Sequence, residues 1–286
     1  MNNVQKNILI ITTGGTIAMQ RDSVTGELTQ AISGKSLVAG IPQLEHVASI
    51  QVKEFSNTPS EYMTPSMMLR LAQYIQEIDH SSIHGYVITH GTDTMEETAF
   101  LLNHVVNVDK PICITGAMRG ADALSADGPA NLLAAVVAAA SEKTQHMGVL
   151  VVMNDEVHAA TYVTKTHTTN VATFQTPTFG PIGLVSKNSV IYFQKLINEE
   201  HYDVNVFGKK VYLLKAYAGM GDELINAVAN IGADGLVIEA LGAGNLPPKT
   251  VPAIRECIKK RIPVVFVSRA FNGVTQDVYD YEGGGK

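Results

Sequence analysis

Three short stretches carry side chains that could act on a small polar substrate. Thr12-Thr13-Gly14-Gly15-Thr16-Ile17-Ala18 sets the Thr16 hydroxyl just past a glycine pair. Thr89-His90-Gly91-Thr92-Asp93-Thr94-Met95 places a second hydroxyl and a carboxylate side by side. Tyr162-Val163-Thr164-Lys165-Thr166 holds one lysine among β-branched residues. Each has a plain reading when taken alone: a glycine turn after a strand, a helix-capping aspartate beside a core histidine, and a solvated lysine. Together they form a more specific set. A threonine hydroxyl is a poor nucleophile until a neighbouring base accepts its proton, and a lysine held against a second threonine and an aspartate can serve. A carboxylate beside the unpaired N–H groups of a helix start also suits a zwitterion, whose ammonium meets the first and whose carboxylate meets the second.

The elements that must position these groups show in the periodicity. Short Val/Ile/Leu-rich runs alternate with amphipathic stretches, the pattern of βαβ units and a parallel sheet. Strands are expected over 7–12, 86–90, 112–115 and 148–153, then over 211–216, 236–240 and 264–268. Helices fall between them. Thr64-Pro65 reads as a cap and first-turn proline for 66–78, and Thr94-Met95-Glu96-Glu97 reads as a capping box for a helix running to 106. Gly128-Pro129 opens a helix over 130–140. Residues 186–210 are polar, aromatic and aperiodic, so a linker is placed at 187–210. The predicted class is α/β in two domains. Residues 1–186 form a larger, mostly parallel, doubly wound sheet flanked by helices, and 211–286 form a smaller α/β domain. In the first domain the ends of strands present Thr16, Thr92 and Asp93, since parallel sheets bind ligands outside their carboxyl edges.

Composition narrows the partners. The chain has 286 residues, 45% hydrophobic and 17% charged, with a net charge of -6, and no run of lysines or arginines offers a nucleic-acid footprint. No apolar run approaches the roughly 18 residues of a membrane span. Met1–Lys6 carries one positive charge, and the apolar run from Ile8 to Ile11 is shorter than a signal-peptide core. Cys113 and Cys257 lie in segments that read as a buried strand and a helix, so free thiols and a cytoplasmic location are expected. Gly34-Lys35-Ser36 looks like the end of a P-loop, but Thr29 stands where its first glycine belongs.

Thr13-Gly14-Gly15-Thr16-Ile17-Ala18 and His90-Gly91-Thr92-Asp93-Thr94-Met95 resemble the paired signatures of the bacterial-type L-asparaginase family. The likeness runs on through 112–119, 125–133, 162–166 and 179–184 into the second domain. It implies an amidohydrolase that releases ammonia from L-asparagine, with L-glutamine secondary, through a threonine acyl-enzyme. Thr16, Thr92, Asp93 and Lys165 are the implied catalytic group. Gly15, Ser60, Glu61, Gly91 and, from a neighbouring subunit, Asn245 are the implied substrate contacts, with Tyr279 a further candidate in trans. Ser60 would meet the substrate α-carboxylate, and Glu61 and Asp93 the α-ammonium. The resemblance implies no metal or organic cofactor, and a homo-oligomer, a dimer of dimers. Two departures stand out. The lid segment, expected as a mobile loop over 18–34 with Gly26 and Gly34 as hinges, has Leu28 or a neighbour where the family commonly has a tyrosine. The family also continues beyond this chain's Gly283-Gly284-Gly285 tract, so the second domain is expected to be shortened. Two other functions fit the same residues less well: an ammonia-releasing amidotransferase subunit, whose extra N-terminal domain is not seen here, and a non-catalytic amino-acid-binding protein, which would not require two threonines and a lysine.

Overall fold

The computed structural model describes residues 5–196 and 200–284, and the chain divides into two compact units, Met1–Val206 and Phe207–Lys286. In chain order the first unit contains β1 (Asn7–Thr12), β2 (Met19–Arg21), β3 (Leu28–Gln30), α1 (Gly34–Ala39), β4 (Ser49–Glu54), α2 (Pro65–Glu77), β5 (Gly85–Thr89) and α3 (Met95–Val105). It continues through β6 (Ile112–Thr115), α4 (Gly128–Ala140), β7 (Val149–Met153), β8 (Glu156–Ala159), β9 (Thr164–Lys165), β10 (Phe174–Gln175), β11 (Gly183–Ser186) and β12 (Ser189–Tyr192).

Strand β1 lies inside the sheet, and its sequence explains why. Ile8 and Ile10 enter one apolar layer while Leu9 and Ile11 enter the other, so no position is left for a solvated side chain. The layer under Ile8 and Ile10 is closed by α1 and α4, and the opposite layer by α2 and α3. Helix α2 shows the matching pattern: Met68, Leu71, Ala72 and Ile75 are buried at helical spacing. Burial of each such leucine or isoleucine contributes about 1.5–3 kcal/mol. Its start is fixed as expected, with the Thr64 hydroxyl accepting the Met67 N–H at 3.3 Å and Pro65 at the first position.

The eight strands of the main sheet run in the order β12-β11-β8-β7-β6-β5-β1-β4. From β4 to β7 all neighbours are parallel, whereas β8, β11 and β12 add antiparallel pairs. The chain leaves β1 for the edge strand β4 and returns to place β5 on the other side of β1. The carboxyl ends of β1 and β5 therefore flank a topological switch point, where crevices form in such sheets.

Three expectations are corrected. Residues 189–192, read as linker, form the edge strand β12: Val190 is buried, Ser189 and Ile191 are exposed, and the Tyr192 hydroxyl lies 2.9 Å from that of Thr144. The boundary between the two units, 206/207, falls inside the expected linker of 187–210. The capping box at α3 does not form, because Thr94 makes no side-chain cap bond and donates its hydroxyl to the Ser60 carbonyl at 2.8 Å. Gly34 is no hinge. It is buried at the start of α1, where an added Cβ would lie 2.8 Å from the Thr12 methyl.

In the second unit, β13 (Val211–Lys215), β14 (Gly235–Ala240) and β15 (Val264–Ser268) form a parallel sheet. Helices α5 (Glu223–Asn230) and α6 (Val251–Lys259) enclose a core with Leu236, Ile238, Ala240 and Cys257. Val211, Leu213, Val265 and Val267 of the two outer strands are exposed. Both cysteines are buried and free.

Candidate active site

The turn after β1 and the turn after β5 meet backbone to backbone. Gly15 holds φ +86°, and a Cβ there would stand 2.4 Å from both the Cα and the N of Gly91. A Cβ on Gly91 would in turn lie 2.6 Å from that of Ser60. Only glycine at both places lets three loops converge. Two further bonds join the third loop to the second: the Asp93 N–H donates to Ser60 Oγ at 3.3 Å, and the Thr94 hydroxyl reaches the Ser60 carbonyl.

A pocket of about 250 Å³ lies where they meet, lined by Gly15, Thr16, Ser60, Glu61, Gly91, Thr92, Asp93 and Lys165 together with Met19, Pro59, Met118 and Thr168. That is smaller than the roughly 300–1,000 Å³ of pockets for drug-sized ligands, and it suits a single amino acid. Eight of the nine residues named from the sequence are thus brought together, and every lining residue belongs to the first unit. The ninth, Asn245, and Tyr279 belong to the second unit, where Asn245 bridges to Leu241.

The threonines of the first motif divide by role. Thr13 is buried and donates its hydroxyl to the Thr89 carbonyl at 2.9 Å, which ties β1 to β5. Thr16 opens a single 3-10 turn, Thr16–Ala18, and among the described residues its hydroxyl has no hydrogen-bond partner. It is free for a substrate. Opposite it, Lys165 Nζ donates to Thr92 Oγ1 at 2.8 Å and to Asp93 Oδ1 at 2.6 Å. Thr92 is buried and the Lys165 side chain is 16% exposed, whereas that of Asp93 is 66% exposed. Nζ is therefore held between a dry hydroxyl and a wet carboxylate.

His90 takes the plain role. It is fully buried, Nδ1 lies 2.7 Å from the Gly91 carbonyl and Nε2 lies 2.9 Å from the Thr98 hydroxyl. A carbonyl can only accept, so Nδ1 carries the proton, and in the neutral ring Nε2 accepts from Thr98. Burial pushes its pKa down to about 4.

The sequence reading missed Met19, Met118 and Thr168 as lining residues, and Glu96 behind them. Met118 was within reach of the strand-end rule, since it follows β6. Glu96 was read only as part of the capping sequence. Its half-buried carboxylate instead leaves α3 for β9, accepting the Thr164 hydroxyl at 3.1 Å on one oxygen and the Lys165 main-chain N–H on the other. The segment expected as a lid is a β2–β3 hairpin, pinned where the Arg21 N–H donates to Asp122 at 3.2 Å and the Ala121 N–H to the Met19 carbonyl at 2.8 Å. Leu28 is 42% exposed, and Met19 from this hairpin reaches the pocket.

Sequence comparison matches residues 7–198 to the asparaginase N-terminal model and 210–286 to the glutaminase/asparaginase C-terminal domain. The chain belongs to the asparaginase family. L-asparaginase 2 of Escherichia coli (strain K12) is 39% identical over 277 residues, covering 94% of this chain and 79% of the relative. A glutaminase-asparaginase of Pseudomonas fluorescens biotype A is 34% identical, covering 91% and 74%. The crystal structure of a "Probable Cytoplasmic L-asparaginase" from Campylobacter jejuni superposes with a TM-score of 0.88 at 35% identity, over 96% of this chain and 87% of that one. The family's two-domain α/β architecture is thus the architecture found here. No described helix is long and apolar enough to cross a membrane.

Proposed function

We propose that this protein hydrolyses the side-chain amide of L-asparagine to L-aspartate and ammonia, with L-glutamine as a secondary substrate. The observation that carries the mechanism is the bond pair from Lys165 Nζ to Thr92 Oγ1 and Asp93 Oδ1 in a pocket that also presents the unpartnered Thr16 hydroxyl. Relatives named for asparaginase and glutaminase-asparaginase activity support the substrate class.

In this reading Thr16 Oγ attacks the amide carbon, and the Thr92–Lys165 pair carries its proton to the departing nitrogen. The C–N bond breaks, ammonia leaves, and a β-aspartyl ester to Thr16 remains. Water then attacks the ester carbon; its proton returns through the same pair to Thr16 Oγ as the C–O bond breaks. Main-chain N–H groups beside Thr92 stabilise the oxyanion in both steps. Ser60 receives the substrate α-carboxylate, and Asp93 and Glu61 hold the α-ammonium. Thr16 is assigned as nucleophile over Thr92 because its hydroxyl is uncommitted, while that of Thr92 already accepts from Lys165. No metal or organic cofactor is needed for these proton and acyl transfers.

A homo-oligomer is supported by the exposed Val211, Leu213, Val265 and Val267, since contiguous apolar surface marks association sites. Asn245 would then act in trans. A cytoplasmic location is supported by the two free cysteines and by the likeness to a structure described as a probable cytoplasmic L-asparaginase. Ammonia release from asparagine and glutamine, assayed side by side on purified protein, tests the function; absence of release from both would refute it.

A further inference from the structure

We propose that Glu96 is a positioning residue for the reaction, a clamp that holds Lys165 in register with Thr92 and Asp93. This rests on the proposed function, because it concerns how the proton-carrying lysine is aimed.

Lysine has four rotatable side-chain bonds, and one salt bridge to a largely exposed carboxylate does little to fix such a chain. Its aim must come from the main chain beneath it. Lys165 lies in β9, a strand of two residues whose ladder partner is the equally short β10. So small a ladder fixes little by itself. The missing restraint is Glu96. It is the second residue of α3, three positions beyond Asp93 and four beyond Thr92. One carboxylate oxygen accepts the Lys165 main-chain N–H, and the other accepts the Thr164 hydroxyl at 3.1 Å. Both ends of the lysine are therefore referred to one rigid body: Nζ to the loop that enters α3, and the main chain to the first turn of α3 itself.

The chemistry of the acceptor matters. Two donors converge on Glu96, and only an ionised carboxylate offers each an oxygen of its own. An amide there could still accept the Lys165 N–H and donate its NH2 to the Thr164 hydroxyl, without the charge that strengthens both bonds, whereas an apolar side chain of similar size would make neither. Burial raises the Glu96 pKa, neighbouring Glu97 raises it further, and the Lys165 and Thr164 bonds and the Lys165 charge oppose the rise. The clamp thus loses its charge-assisted bonds and weakens on the acidic side at a pH above the ordinary glutamate range.

The test compares Glu96→Leu, Glu96→Gln, Thr164→Val and Lys165→Met by steady-state ammonia release, with folding checked by far-UV circular dichroism. Glu96→Leu, which removes both acceptors, is expected to lower kcat about 10–100-fold, the usual effect of losing a residue that orients a reacting group, with KM changed less than about threefold. Thr164→Val removes the other donor and leaves the Lys165 bond, so its kcat should stay within about threefold of wild type. In wild type, kcat should fall on the acidic side with an apparent pKa above the ordinary glutamate value, and Glu96→Gln should lose that limb. A Glu96→Leu protein with wild-type kcat, or one damaged equally in kcat and KM, overturns the clamp, as does wild-type kcat that stays flat through the acid range. The last measurement needs no variant and decides the matter if Glu96→Leu does not fold. An active Lys165→Met overturns the proposed mechanism itself. An inactive Lys165→Met beside an unimpaired Glu96→Leu overturns only the clamp.

Discussion

Hydroxyl groups of one residue type do unlike work within a few positions here. Thr13 joins two strands through the Thr89 carbonyl, Thr16 faces the pocket uncommitted, and Thr92 is bonded to Lys165. Thr16→Ala and Thr92→Ala should each lower kcat by about four to six orders of magnitude, as removal of a nucleophile or its partner does elsewhere. Aspartate binding, followed by calorimetry, should persist in both. A Thr16→Ala protein that keeps a measurable burst of ammonia would transfer the nucleophile's role to Thr92. Thr13→Val should leave kcat near wild type and reduce stability by about 1 kcal/mol, the net worth of a typical buried hydrogen bond. If Thr92 and Lys165 act as a unit, Thr92→Ala with Lys165→Met should lose little more than either alone, and additive losses would separate them. At this scale the sequence was informative about which residues converge. It was silent about Glu96, because a glutamate in a helix's first turn looks the same whether it bonds its own helix or a strand distant in sequence.

Strands buried on both faces were legible because they are almost wholly apolar: 7–12 and 112–115 carry the bounds expected of them, and 264–268 does too, although Val265 and Val267 on one of its faces are exposed. Edge strands were not. In β4, Ser-Ile-Gln-Val-Lys-Glu alternates like any exposed segment, and β9 and β10 have two residues each, too few to establish a period. The antiparallel extension β8, β11 and β12 fell in the stretch where the βαβ rhythm stops, so pattern alone gave it no layer. Glycine pairs were legible as turns, but the reason for them is tertiary. Gly15→Ala places a Cβ 2.4 Å from the Gly91 main chain at a φ of +86°. Backbone strain alone costs about 1–3 kcal/mol, and the two loops must also part. Thermal denaturation should show a lower Tm, and kcat should fall far more than the stability loss explains, because parting the loops separates Thr16 from Thr92. An Ala variant with wild-type kcat would mean that the loops are compliant.

For the molecule as a whole, the buried histidines set a pH limit that has nothing to do with the chemistry. His90 is folded in with a pKa of about 4, and burial is the first cause. The unfolded chain regains an ordinary value near 6.5. Above that value both states are neutral and no stability is lost. Between 6.5 and about 4 the unfolded chain takes a proton that the folded one refuses, so stability falls as pH falls and levels off below the folded value. For His90 the loss is about 1 kcal/mol per pH unit in the middle of the window, or about 3 kcal/mol across it. His158, also pushed down to about 4, and His84, lowered by burial, act with the same sign. Glu96 and Glu156 act against it: their pKa values are raised by burial, so the folded state gains relative to the unfolded one as they protonate. The total slope therefore mixes opposed groups, and a difference between two proteins isolates one of them. His90→Asn keeps a donor for the Gly91 carbonyl and removes the titration. Urea unfolding followed by far-UV circular dichroism, repeated at intervals from pH 7 to pH 4.5, should give the variant a shallower dependence by about 1 kcal/mol per pH unit, even if it is less stable at neutral pH. Equal slopes would mean that His90 accepts a proton in the folded protein, which would require Nε2 to donate to Thr98 and would return this residue to the list of groups able to exchange protons beside the pocket.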